Sequence, residues 1–141
     1  MKTNKLIPLI AVLALVLGVV GFFLLRNGGN VSVTLTPSDD GHWLKLDVSG
    51  ISQNADKMEY ELIYNLPDGR VQGVPGSIEL EGESKVERDI LLGTESSGNY
   101  YYDEGVESGT LTLRLFKNDD LFQENTKDWI LEDLKNNPRV F

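Results

Sequence analysis

The spacing of apolar residues divides the chain in two. From Leu6 to Leu25, twenty consecutive positions carry no charged side chain, and fifteen of them are Leu, Ile, Val or Phe. At about 1.5 Å per residue a helix of that length spans about 30 Å, the hydrocarbon thickness of a bilayer. Each of those fifteen side chains favours insertion by roughly 0.3 to 0.6 kcal/mol near the helix centre. The run predicts a transmembrane helix over 6–26, preceded by a short segment, 1–5, and followed by the linker Asn27-Gly28-Gly29-Asn30.

Beyond the linker the period becomes two, as in strands with one buried face. Val31, Val33 and Leu35 alternate with Ser32, Thr34 and Thr36. After Pro37-Ser38-Asp39-Asp40-Gly41, the residues Leu44, Leu46 and Val48 alternate with Trp43, Lys45 and Asp47. Met58, Tyr60, Leu62 and Tyr64 share one face, and Pro67-Asp68-Gly69 ends that run with a turn whose Pro presets φ and whose Gly accepts a positive one. Arg70 to Leu80, broken by Gly73, Pro75 and Gly76, reads as an edge strand or a bulged pair. Val86, Ile90 and Leu92 form another face; Leu111, Leu113 and Leu115 form the cleanest, and Asn118-Asp119-Asp120 turns the chain back into Leu121–Gln123.

Short strands with one apolar face each predict an antiparallel, all-β sandwich of immunoglobulin-like type with about seven strands over 31–134, then a frayed tail, 135–141. Thr126–Leu134 fits two readings. Trp129 and Leu131 finish a last strand, or Trp129, Ile130 and Leu134 face inward from a short helix begun by Thr126; the strand through about Leu131 is preferred.

The N-terminal run has a competing reading as a cleavable signal peptide. Such apolar regions are about 7 to 15 residues long and end in small residues, whereas this one is longer and ends Phe22-Phe23-Leu24-Leu25-Arg26. An uncleaved signal anchor is the better fit. Lys2 and Lys5 precede the span and only Arg26 follows closely, so the positive-inside rule keeps the N-terminus cytoplasmic and sends residues 27–141 out. A type IV pilin-like subunit would need a glutamate near the start of the run, and Met1–Leu9 has none.

Charge and composition narrow the chemistry. Of 141 residues, 22 are acidic and 13 basic. All the acidic ones lie after Arg26 with ten of the basic ones, a net −12 that argues against nucleic acid as a partner. The absence of cysteine removes disulfides, thiolate metal sites and cysteine nucleophiles. His42 is the single histidine, so a Ser-His-Asp triad would have to use it, yet no Gly-x-Ser-x-Gly setting occurs; an exposed strand-edge histidine is the expectation. Asp103, Glu104 and Glu107 around Gly105 make a weak calcium candidate without the regular spacing of a calcium loop. No cofactor is expected.

The most informative feature is Tyr100-Tyr101-Tyr102, in a long connection from Gly93 to Gly109. Tyrosines on a loop at the end of a rigid sandwich offer large contact area at low entropy cost, so they are candidate partner-binding residues. The competing expectation is that one or two of them plug the end of the sandwich. Trp43, out of phase with Leu44 and Leu46, is a second candidate contact residue.

Met58–Tyr64, Gly76–Leu80 and Ile90–Thr94 resemble uncharacterised bacterial envelope proteins that pair a membrane anchor with one immunoglobulin-like or fibronectin type III-like domain. The resemblance spans roughly 31–131 and implies a fold and a location rather than an activity. It also implies cysteines near the positions of Glu95 and Tyr100, which are absent here. The expected protein is a single-pass, membrane-anchored, non-catalytic binding or structural module of the cell envelope, its partner an envelope protein or a surface glycan. The alternative is an accessory subunit of a larger envelope, secretion or pilus-like assembly.

Overall fold

The computed structural model describes residues 30–141. The expected membrane helix over 6–26 lies outside the described residues; among those described, no helix is long and apolar enough to cross a membrane. The described chain is almost entirely antiparallel β-sheet. Its strands are β1 (Ser32–Pro37), β2 (Trp43–Ser49), β3 (Lys57–Asn65), β4 (Val71–Glu79), β5 (Lys85–Leu91), β6 (Gly93–Ser96), β7 (Asn99–Tyr102), β8 (Ser108–Lys117) and β9 (Asp120–Ile130), followed by a six-residue helix, α1 (Leu131–Asn136). β1-β2-β5 form one sheet, β4-β3-β8-β9 a second, and β6-β7 a separate hairpin.

Alternation dictates which faces meet. Val33 and Leu35 of β1, Leu44, Leu46 and Val48 of β2, Met58, Leu62 and Tyr64 of β3, and Leu111, Leu113 and Leu115 of β8 are all buried in one cluster drawn from both large sheets. A one-residue slip would turn each set out to solvent, so the pattern fixes the register. Polar pairs tie the outer face of the second sheet. Thr110 donates to Asp128 at 2.7 Å, the Thr112 and Thr126 hydroxyls meet at 3.1 Å, and Arg114 donates to Glu124 at 2.6 Å.

Two results differ from the sequence expectation. The number of strands is nine rather than about seven, because residues 93–102, expected as a loop, form the β6–β7 hairpin. Its turn places Ser97 and Gly98 at φ 52° and 80°, the two positive values of a type I′ turn, which matches strand twist. The C-terminal residues do not fray. Val33 N–H donates to the Phe141 carbonyl at 2.9 Å, Leu35 N–H to that of Pro138 at 2.8 Å, and Val140 N–H to that of Val33 at 2.8 Å, so the last residues line the edge of β1 with Val140 buried. Apolar side chains at 134 and 140, both buried, draw the segment back onto the sheets. At 126–134 strand and helix both occur, in succession: β9 runs to Ile130 and α1 follows.

Candidate functional site

Strand directions define two poles. Asn30 lies at the pole where β1 begins, with Ser32 opposite Ser49 and Ser49 opposite Lys85. Pro37, Leu44 and Leu91 lie at the far pole, and the β6–β7 hairpin projects there from the end of β5. Backbone bonds pin both ends of the hairpin: Leu92 N–H donates to the His42 carbonyl at 2.8 Å, and Asp103 N–H to that of Leu92 at 2.9 Å. Below it the buried Tyr64 hydroxyl donates to Asp103 at 2.7 Å. Burial, then the Asp103 carboxylate, push the Tyr64 pKa above its ordinary value. At Gly93, where the hairpin leaves β5, an added Cβ would collide with the Tyr101 carbonyl, so only glycine allows the two strands to approach there.

Alternation along β7 decides where each tyrosine goes. Tyr100 and Tyr102 share one face and turn toward β2, while Tyr101 takes the other. Tyr102 stacks on His42 with ring centres 3.9 Å apart and planes 4° apart. Tyr100 lies 6.3 Å from Tyr102 at 11°, and Trp43 meets Tyr100 at 5.5 Å and 70°. The result is an aromatic row, His42–Tyr102–Tyr100–Trp43. The hairpin thus leans on the start of β2 through Tyr100 and Tyr102. Tyr101 stays 60% exposed, against 47% for Tyr100 and 39% for Tyr102. Trp43 is half-buried rather than exposed.

Carboxylates hold His42 at both ring nitrogens: Asp40 is 3.2 Å from Nδ1 and Glu104 3.0 Å from Nε2. His42 is therefore a half-buried stacked residue, not the exposed edge residue expected. Ser38 Oγ donates to Asp40 at 2.6 Å, and that hydroxyl together with the His42 backbone N–H holds the Asp40 carboxyl below its usual pKa. The serine thus faces the carboxylate and not the imidazole, unlike the nucleophile–base contact of hydrolytic triads. A cleft of about 370 Å³ opens beside the row between Leu66, Pro67, Asp68, Arg70, Tyr102 and Glu104.

The structure brings Trp43, Tyr100 and Tyr102 together and separates Tyr101 from them. The calcium candidates do not converge. Asp103 is taken by Tyr64 and Glu104 by His42, and among the described residues no group of three or more His, Asp or Glu side chains is arranged to hold a metal ion. Sequence reasoning missed His42 and Asp40 as members of the site. Their only local signal was position next to Trp43, since the partners Tyr102 and Glu104 lie 60 and 62 residues further on. Glu95 and Tyr100 stand directly opposite each other across the hairpin, so the cysteines implied near those positions would face one another. No protein-family model, no curated protein and no solved structure matches this chain.

Proposed function

We propose that this is a single-pass envelope protein whose fibronectin type III-like domain is a non-catalytic recognition module, with the β6–β7 hairpin as its contact surface. The strand order supports the domain type. In the immunoglobulin group an A-B-E sheet faces a sheet built on C-F-G; here β1-β2-β5 faces β3-β8-β9, with β4 added beside β3. The apolar run Leu6–Leu25 supports the anchor. One observation carries the function: an exposed tyrosine, Tyr101, is presented on a hairpin braced by an aromatic row at the pole away from Asn30. An anchored module that reached for partners would place its contact residues there. The faces of Tyr100 and Tyr102 are already taken by ring contacts, which favours a protein partner over a glycan that needs free ring faces to stack upon.

The test is capture of neighbours by chemical crosslinking in intact cells. Tyr101→Ser abolishes capture while leaving the melting temperature unchanged, whereas Lys45→Ser, on the outer face of β2, captures normally. Exchange of Leu6–Leu25 for an unrelated apolar helix leaves capture intact. Capture that survives Tyr101→Ser but fails on the helix exchange would instead assign the contact to the anchor.

A further inference from the structure

An exposed sheet edge offers unpaired N–H and C=O groups to any other strand. The two large sheets have four edges: β4 and β9 in one, β1 and β5 in the other. Three of them carry side chains that discourage pairing. In β4, Pro75 has no N–H to donate and stands beside Gly76. In β5, the exposed Arg88 lies opposite Leu46, in the inward phase between buried Val86 and Ile90. In β9, the exposed Lys127 lies opposite Leu111 in the same inward phase. A strand added beyond either would bury that charge.

The fourth edge has no such device. β1, Ser-Val-Thr-Leu-Thr-Pro, carries no charge, alternates strictly and keeps its single proline for the last position. Uncharged segments of high β-propensity pair readily with others. The edge is closed by the chain itself. After α1, Pro138 stops the helix and the segment 138–141 runs antiparallel to β1, with Arg139 opposite Thr34. This strap accepts from the Val33 and Leu35 N–H groups and donates from Val140 N–H to the Val33 carbonyl. Those are the groups that β1 turns away from β2. Val140 is buried and holds the strap down.

We propose that the segment 138–141 is a guard strand, closing the one edge of the sandwich at which a second copy of the chain would otherwise pair. A second copy fits because β1 is its own complement. An antiparallel pair of β1 strands with Thr34 on the two-fold axis sets Val33 opposite Leu35 and Ser32 opposite Thr36. That pairing bonds the groups the strap now holds and opposes no like charges. Neither the hairpin nor the anchor enters the argument, so the inference stands apart from the recognition role.

The test uses the full chain in detergent micelles, where two copies meet in any orientation. Removal of residues 138–141 should give about twice the wild-type protein mass by light scattering, as expected of a two-fold pair. Val140→Pro, which keeps an apolar side chain and loses the N–H to Val33, should do the same. Thr34→Cys, in a chain without other cysteines, should form an interchain disulfide when the strap is removed and none when it is in place. Thr112→Cys, on the outer face of the second sheet, should form none in either. Thr34→Lys should return the strapless chain to wild-type mass, because two lysines would face each other across the axis. Thr34 is in the outward phase of β1, so this rescue leaves the core untouched. Wild-type mass in both strap variants, association that persists with Thr34→Lys, or disulfides that form equally at position 112 would overturn the proposal. Loss of the β-sheet circular dichroism in both strap variants would also overturn it and make the strap part of the folding core.

Discussion

Tyr64 and Gly109 are the residues on which the far pole is built. Tyr64 is 1% exposed, so its ring belongs to the core while its hydroxyl reaches Asp103 at the base of the hairpin. Its periodic position was legible in the sequence, but the partner 39 residues away was not, because alternation reports a face and not a neighbour. Tyr64→Phe should cost about 1–3 kcal/mol in chemical denaturation, since a carboxylate loses its donor. The mutation should also alter the alkaline limb of stability. The folded protein raises the Tyr64 pKa above the ordinary tyrosine value of about 10, so the stability it contributes is full below about pH 10 and is lost as pH rises further. The thermal midpoint of the wild type should fall above pH 10, and Tyr64→Phe should fall less steeply. At Gly109 an added Cβ would meet the Ile63 carbonyl and the Trp129 ring, which at its Cζ2 would stand 2.6 Å away. Gly109→Ala should therefore destabilise by about 1–3 kcal/mol, the usual penalty of overpacking. A shift in tryptophan fluorescence should accompany the loss.

At the scale of elements, the long strands were readable because one face of each is buried, which imposes strict alternation. β8, with Leu111, Leu113 and Leu115 all buried, is the plainest case. The β6–β7 hairpin was not readable. All four residues of β7 are exposed, so no apolar period marks it, and the Ser97-Gly98 turn was its one local sign. The C-terminal segment was missed for a related reason: it binds the edge of β1 through backbone groups, which any sequence supplies. Hairpin placement gives an element-level prediction. Gly93→Ala forces the hairpin base away from the Tyr101 carbonyl, and the row at Trp43 should loosen with it. The near-UV circular dichroism of Trp43 and Tyr100 should weaken while the far-UV spectrum keeps its β form. Tyr102→Ser should lower the melting temperature through loss of the His42 stack, whereas Tyr101→Ser should not. The three tyrosines that look equivalent in sequence therefore divide into two that brace and one that is presented.

At the scale of the whole molecule, the apolar run Leu6–Leu25 precedes a domain whose aromatic hairpin lies at the pole opposite Asn30. The lack of cysteine gives a clean test of topology. Ser97→Cys, in the hairpin turn, should be labelled in intact cells by a membrane-impermeant maleimide, and labelling only after lysis would reverse the orientation. Sandwich class and the general region of the site were legible because both follow from local pattern. Assembly of the site was not, because it joins the turn before β2 to a hairpin some sixty residues later. The central claim is that contact is made at the far pole, and photo-crosslinking from one residue at each pole measures it most directly. A benzophenone amino acid in place of Tyr101 should give discrete crosslinked species in intact cells, and the same probe in place of Asn118, in the turn between β8 and β9, should give none. Crosslinks from position 118 with none from 101 would contradict it.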